Sequence, residues 1–218
     1  MIQSPPSPVR PDRARLCLRA ADGEEVATDG GRWFAKPAPE EEAVLDLARG
    51  PVLDVGCGPG RHVMALAGRG VMALGIDITP SAIRLARRRG ALVLERSVFE
   101  HVPGKGRWGS ALLLDGNVGI GGDAPALLTR LATLLRPGGR VLAEFDDPSA
   151  PRRPAMVRLE HHGRPGPWFP WAWVSIDRVA EIAAPAGLTV TDVWSDAGRW
   201  FARLDRIAGG FADLSSVG

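Results

Sequence analysis

The stretch VLDVGCGPG, residues 52–60, decides the fold. Its apolar residues are typical of a short buried strand, but the charge of Asp54 interrupts them, and a charge so deep is costly unless something pairs with it. Glycines then follow at every second position, at Gly56, Gly58 and Gly60. Glycines at this spacing permit a sharp turn and let a ligand approach backbone N–H groups. Residues 61–69 are expected to form a helix, so the sequence predicts a nucleotide-type site between a parallel strand and a helix N-terminus.

The glycine spacing differs from that of the dinucleotide-binding fingerprint. That fingerprint is G-x-G-x-x-G, whereas here the third glycine comes one residue early. Arg61 occupies the position where the fingerprint has its third glycine. An acidic residue, Asp54, also precedes the first glycine by two positions. An ordinary tight turn between strand and helix is the alternative interpretation of this loop.

The loop resembles motif I of the class I S-adenosylmethionine-dependent methyltransferases, whose pattern is acidic-x-Gly-x-Gly-x-Gly. This resemblance implies that the cofactor S-adenosylmethionine contacts Asp54 and the loop residues Gly56, Cys57, Gly58 and Gly60. The small side chain of Cys57 is expected to pack beneath the ligand, where a disulfide with the other cysteine is unfavourable.

The next predicted strand, residues 71–77, ends in an acidic residue. Asp77 is placed to accept hydrogen bonds from both ribose hydroxyls of a nucleoside. The sequence Gly75-Ile76-Asp77 matches the G-x-D of the same family, in which the neighbour Ile78 would also contact the cofactor. The alternative role for Asp77 is a helix N-terminal charge stabilised by the helix dipole.

Two further strand ends complete the implied cofactor site. After a strand at 91–94, the resemblance assigns the adenine contact to Ser97, Val98 and Phe99, with Ser97 where the family more often has Asp. After a strand at 108–114 comes a second glycine-rich loop, 115–122, beginning Asp115-Gly116-Asn117. In the family this loop lines the methionine half of the cofactor and the methyl-transfer site, so Asp115, Gly116 and Asn117 are candidate cofactor ligands and Asp115 is a candidate general base.

A leucine-rich helix at 124–135 precedes L-x-P-G-G and an apolar strand, which is a frequent scaffold feature of the family. The resemblance spans about residues 40–147. It implies an α/β fold with a doubly wound, mostly parallel seven-stranded sheet in a three-layer α/β/α sandwich. Strands at 188–194 and 200–204 would be the sixth and seventh, the seventh being antiparallel to the rest.

Residues 148–174 depart from this pattern and are expected to form a substrate-binding insertion. Two strands, 155–161 and 168–174, would flank a turn at 163–166 and bring aromatic and basic groups over the active-site edge. His161 and His162 are candidate general bases in this hairpin. A surface hairpin with tryptophans packed on the sheet is the alternative. Two adjacent histidines without Cys or acidic partners at ligand spacing do not indicate a metal site.

The 218 residues suit a single domain, which we predict over residues 14–207. The tail 1–13, which holds four of the prolines, is expected to be disordered and the tail 208–218 frayed. In residues 14–36, three roles are open for Trp33 and Phe34: they lie over the cofactor, pack on the first helix, or only anchor the chain. The net charge of +2 does not favour nucleic acid as a partner. No apolar run suits a membrane span, so a soluble cytoplasmic protein is expected.

The sequence thus predicts a methyltransferase that uses S-adenosylmethionine and acts on a small-molecule acceptor. Two alternatives stay open at this point. One is an NAD-dependent oxidoreductase, which would need the fingerprint that Arg61 interrupts. The other is a non-catalytic cofactor-binding or regulatory protein on the same fold, because the motifs indicate binding rather than turnover.

Overall fold

A computed structural model describes residues 16–23, 25–26, 31–149, 154–161 and 164–207. The predicted tails, 1–13 and 208–218, lie outside the described residues.

The main sheet confirms the predicted doubly wound architecture. Its strand order is β11-β12-β7-β6-β3-β4-β5. The central strands pair in parallel, whereas β12 is antiparallel to both of its neighbours. The last strand of the chain is therefore the antiparallel one, as predicted. These strands are β3 (Val52–Val55), β4 (Ala73–Asp77), β5 (Val93–Glu95), β6 (Trp108–Leu113), β7 (Leu135–Phe145), β11 (Leu188–Asp196) and β12 (Arg199–Arg206).

Helices cover both faces of this sheet and complete three layers. The helices α1 (Pro39–Asp46), α2 (Arg61–Gly68) and α3 (Pro80–Arg88) pack on one face. The helices α4 (Ala124–Leu134) and α5 (Val179–Ala183) pack on the other. A 3-10 turn at Ile176–Arg178 precedes α5.

Local chemistry accounts for these elements. All six residues of β6 are buried, as expected for a central parallel strand covered on both faces. Helix α4 begins where the carboxylate of Asp123 accepts the backbone N–H of Ala126 at 3.0 Å, with Pro125 in its first turn. Helix α2 begins at Gly60, whose φ of 79° only glycine adopts readily.

A second sheet joins the N-terminal segment to the insertion, which the sequence analysis did not anticipate. Strand β1 (Leu16–Ala20) pairs antiparallel with β8 (Ala155–His161) and with β2 (Glu25–Val26). The other edge of β8 carries β9 (Arg164–Pro165) and β10 (Phe169–Trp171). The predicted hairpin is therefore present, although its second strand is shorter than expected. We call these five strands the roof sheet.

The roof sheet is docked on the loop that follows β6. Trp171 forms a bridge with Ile120, and the Ala172 N–H donates to the Gly119 carbonyl at 2.9 Å. A Cβ at Gly116 would lie 3.8 Å from the Trp171 ring. A Cβ at Gly119 would overlap the carbonyl oxygen of Ala172. The absence of a side chain at Gly119 thus permits the contact between the roof sheet and the main domain.

Gly119→Ala should therefore destabilise the protein by about 2 kcal/mol, because a Cβ forces the two backbones apart. Gly68→Ala is the matched control, since its Cβ would meet nothing within 4 Å at the end of a helix. That control should keep the free energy of unfolding or raise it by up to about 1 kcal/mol. Urea unfolding of both variants measures the difference. Equal free energies of unfolding for the two variants would show that the contact at Gly119 accommodates a Cβ without cost.

Candidate functional site

The glycine loop lies at the carboxyl end of β3 with all three glycines in left-handed conformations. Their φ values are 72° for Gly56, 50° for Gly58 and 79° for Gly60. A Cβ at Gly60 would lie 2.8 Å from that of Ala91, so this glycine permits close packing beneath the loop. A Cβ at Gly58 would meet nothing within 4 Å. The backbone at Gly58 is therefore the part of the loop that a ligand can approach.

Cys57 points away from this open side and is buried. A Cβ added at Gly75 would lie 2.6 Å from the Cys57 sulfur, so the thiol fits only because residue 75 is a glycine. Burial, followed by the negative charges of Asp54 and Asp77, raises the pKa of the Cys57 thiol far above its usual range. Cys57 thus packs beneath the loop as a neutral side chain.

Asp77 lies at the end of β4, beside the glycine loop. Its carboxylate accepts the Gly58 N–H at 2.9 Å and the Thr79 N–H at 2.7 Å. It therefore joins the open part of the loop to the start of α3. The next side chain, Ile78, is 57% exposed and offers an apolar surface at the same edge.

The residues assigned to adenine follow the next strand in the sheet, β5. Val98 is buried, and its carbonyl accepts a hydrogen bond from Arg130 at 2.9 Å. Phe99 is 46% exposed. A Cβ at Gly121 would lie 2.7 Å from the Phe99 ring, so this ring packs on the second glycine-rich loop. The Ser97 hydroxyl accepts the Phe99 N–H at 3.3 Å.

Asn117 holds the two glycine-rich loops together. Its side-chain amide donates to the carbonyls of Val55 at 2.9 Å and Gly56 at 3.0 Å. A Cβ at Gly56 would lie 2.7 Å from the same amide nitrogen. Gly116, with a φ of 75°, begins the turn that carries Asn117. Both amide hydrogens of Asn117 thus serve the backbone of the first loop.

Asp54 is a buried carboxylate at the end of β3, 1% exposed. Its Oδ2 atom has no hydrogen-bond partner, and the nearest cation-forming group is His62, whose Nδ1 lies 3.8 Å away. Burial raises the pKa of Asp54 to about 6, although His62 and Arg61 oppose the shift. A buried carboxylate with an unsatisfied oxygen is suited to a ligand that carries positive charge.

Asp115 is engaged by arginines on several sides. Arg61 donates to both of its oxygens, at 2.8 and 2.7 Å, and Arg32 donates to Oδ1 at 2.8 Å. Its backbone has a φ of 59°, and its N–H donates to Glu144 at 2.6 Å. These contacts favour a positioning role for Asp115 over proton abstraction, since the carboxylate is already paired.

Glu41 is the charged residue of the site that sequence reasoning missed. It lies in α1, is 0% exposed, and accepts two hydrogen bonds from Arg61 at 2.6 and 2.7 Å. Burial alone would raise the pKa of Glu41, but the neighbouring His62, hydrogen bonds from the Ala38 N–H and from Arg199, and the charge of Arg61 outweigh it and hold this pKa below its usual range. The run of three glutamates at 40–42 resembles a solvated helix start, so no local signal marks the middle one.

The segment before α1 lies close to the glycine loop. Arg89 donates to the carbonyls of Pro59 at 3.3 Å and Phe34 at 3.4 Å. Arg32, in the same segment, reaches Asp115. The backbone of Phe34 thus lies near the glycine loop, and a role of Trp33 or Phe34 over the cofactor stays a prediction.

The histidine candidates contribute nothing to the described geometry. His161 ends strand β8 opposite Leu16, but its side chain lies outside the described residues. His162 lies wholly outside them. A catalytic role for either histidine stays a prediction.

Comparison with known families adds an independent finding. Residues 52–139 match the family model described as "Methyltransferase domain". This segment begins with β3 and includes the glycine loop, Asp77 and the loop after β6. No functionally curated protein sequence matches the chain significantly.

Solved structures resemble the whole fold. A methyltransferase from Bacteroides fragilis, in complex with S-adenosyl-L-homocysteine, has a TM-score of 0.76 at 23% identity, with 88% of each chain covered. The 1,6-didemethyltoxoflavin-N1-methyltransferase of Burkholderia thailandensis has a TM-score of 0.53 at 23% identity, covering 72% of this chain and 70% of its own. Magnesium protoporphyrin IX methyltransferase from Synechocystis PCC 6803 has a TM-score of 0.53 at 18% identity, with 76% of each chain covered.

Two features are absent from the described residues. None of their helices is both long and apolar enough to cross a membrane. Within the same ranges, no group of three or more His, Cys, Asp and Glu side chains is arranged to hold a metal ion.

Asp54→Asn should change how stability depends on pH. The pKa of Asp54 is about 6 in the folded protein against 3.8 as its reference, so ionisation of the buried group removes stability as pH rises toward 6. Between pH 5 and 7.5 this loss amounts to about 1 kcal/mol for one such group. The Asn variant lacks it, so urea unfolding should show the variant gaining about that much on the wild type over this interval. Parallel pH profiles for the two proteins would contradict the assignment.

Proposed function

We propose that the chain, whose residues 52–139 match the methyltransferase-domain family model, is a class I S-adenosylmethionine-dependent methyltransferase that transfers a methyl group from this cofactor to a small-molecule acceptor. One observation carries the proposal. The open backbone of Gly58 lies at a strand end beside the carboxylate of Asp77, 2.9 Å away, as a nucleoside site requires.

The described residues fit the cofactor on two further counts. The unsatisfied, buried oxygen of Asp54 suits the positively charged methionine end, and the left-handed glycines leave the loop backbone accessible. We assign the ribose contact to Asp77 and the adenine contacts to Ile78, Ser97, Val98 and Phe99. Asp115, Gly116 and Asn117 would line the methionine half, as they do in the family that the sequence resembles.

When bound, the cofactor supplies an electrophilic methyl group on a sulfonium sulfur. The protein's own contribution is to orient the two reactants and to exclude water. The roof sheet is suited to that second task, because Trp171 lies over Gly116 beside Asp115. Phe169 and Trp171 of strand β10 pack on the buried residues Leu18, Ala20 and Val157, and this sheet would cover the acceptor.

A small-molecule acceptor is supported by the neighbours and by the charge of the chain. Two of the solved neighbours are methyltransferases of a didemethyltoxoflavin and of magnesium protoporphyrin IX, which are both small molecules. The small net charge of +2 does not favour nucleic acid as the acceptor. A cytoplasmic location also stays a prediction.

Arg61 weighs against the oxidoreductase alternative. It occupies the position where a dinucleotide fingerprint would have its last glycine, and its side chain is 3% exposed and bound to Glu41 and Asp115. A pyrophosphate at this loop would therefore meet a guanidinium that is already paired. Calorimetric titration separates the two functions, since we expect micromolar binding of S-adenosylhomocysteine and none of NAD.

Asp77→Ala should weaken the binding of S-adenosylhomocysteine about tenfold or more, because hydrogen bonds to a charged group contribute roughly 1.5–3 kcal/mol. Asp192→Ala is the matched control, since Asp192 is exposed on the strand β11 at the opposite edge of the sheet. Isothermal titration calorimetry measures both affinities. An unchanged affinity for Asp77→Ala would mean that the ribose contact is misassigned, whereas no binding by the folded wild type would refute the cofactor itself.

A further inference from the structure

Five charged residues from five parts of the chain form a closed ring at the carboxyl edge of the main sheet. Arg61 donates to Glu41 and to Asp115. The Asp115 N–H donates to Glu144 at 2.6 Å. Arg199 donates to both oxygens of Glu144, at 2.7 and 2.6 Å, and to Glu41 at 2.7 Å. The contact between Arg199 and Glu41 closes the ring. We call its five members the charge ring: Glu41, Arg61, Asp115, Glu144 and Arg199.

The charge ring is largely removed from solvent. The exposed fractions of its side chains run from 0% for Glu41 and 3% for Arg61 to 15% for Asp115. Desolvating so many charges costs free energy that their mutual attraction only partly offsets, and apolar side chains could fill the same space at similar or better stability. A role in fixing geometry therefore explains the ring better than a role in stability.

What the ring fixes is the turn at Asp115. This residue has a φ of 59°, which is unusual for any residue except glycine. Its N–H is held by Glu144 and its carboxylate by Arg61, so both ends of the residue are restrained. The turn also begins the loop in which Asn117 binds the backbone of Gly56. A shift of the turn would therefore reach the glycine loop.

Arg199 determines the position of Glu144. It lies at the start of β12, outside the segment that matches the methyltransferase family model. Its paired hydrogen bonds to one carboxylate fix both the distance and the plane of that group, which a lysine could not do. Pairing with Glu144 and Glu41 raises the pKa of Arg199 despite its burial, so it is charged at any working pH.

We propose that Arg199 and Glu144 are positioning residues for the methionine half of the cofactor, acting through the backbone and side chain of Asp115. This inference rests on the proposed function, which assigns the Asp115 loop to that half. It predicts that loss of the pair weakens binding of the amino-acid end of the cofactor and leaves binding of the nucleoside end unchanged.

The test compares two ligands by calorimetry at a temperature where each variant is folded by circular dichroism. S-Adenosylhomocysteine has the amino-acid end, and 5′-methylthioadenosine lacks it. Arg199→Gln should weaken binding of the first about tenfold or more and change binding of the second by no more than about twofold. Arg203→Gln, on the same strand with Thr191 and Asp205 as its partners, should change neither.

Two conservative variants separate positioning from folding. Arg199→Lys keeps the charge but loses the paired geometry, and should reproduce most of the loss. Glu144→Gln keeps an oxygen for the Asp115 N–H but loses the charge facing Arg199, and should show a smaller loss of the same selectivity. These variants also keep the test decisive if Arg199→Gln does not fold.

Different outcomes would overturn different claims. Equal losses for both ligands would show that Arg199 supports the site only through overall stability, and an unchanged affinity for S-adenosylhomocysteine would show that the ring does not act on it. Either result would overturn this inference while the proposed function stands. Failure of the wild type to bind S-adenosylhomocysteine would instead overturn the proposed function.

Discussion

The carboxylate of Glu41 imposes the constraint on which the site depends. It has no exposure to solvent, and both of its oxygens accept hydrogen bonds from buried guanidinium groups, those of Arg61 and Arg199. A buried charge is tolerated only while its partners stay in place, because leaving it unpaired costs several kcal/mol. These ion pairs therefore fix the distances between helix α1, the start of α2 and the start of β12.

A second buried carboxylate, that of Asp54, lies just before the glycine loop. Asp54 is buried with an unsatisfied oxygen, and only a few residues separate it from Arg61. The site thus retains charge that the fold alone does not need. Under the proposed function, Asp54 would meet the positively charged end of the cofactor, while the paired Asp115 would fix the geometry of its loop.

The roof sheet brings together strands that precede and strands that follow the segment 52–139. Of its described strands, β1 and β2 come before this segment and β8, β9 and β10 after it, and the segment that matches the family model contributes none of them. The contact of the roof sheet with the main domain includes Gly119, Ile120 and Trp171. A common cofactor domain with a separately built cover is an arrangement in which acceptor choice can change while the cofactor site is kept.

The sequence alone was enough to predict the positions of the main strands and helices and of the two glycine-rich loops, because strand burial, helix periodicity and glycine turns are local patterns. The seven-stranded sheet with its antiparallel last strand was expected from the resemblance to a known family. Only the tertiary structure decided that Glu41 is buried, that Arg199 reaches it across 158 residues, and that β1 completes the roof sheet. An ion pair or a strand pairing between distant segments leaves no period in the sequence, because either partner alone has the composition of an ordinary surface residue or a short strand.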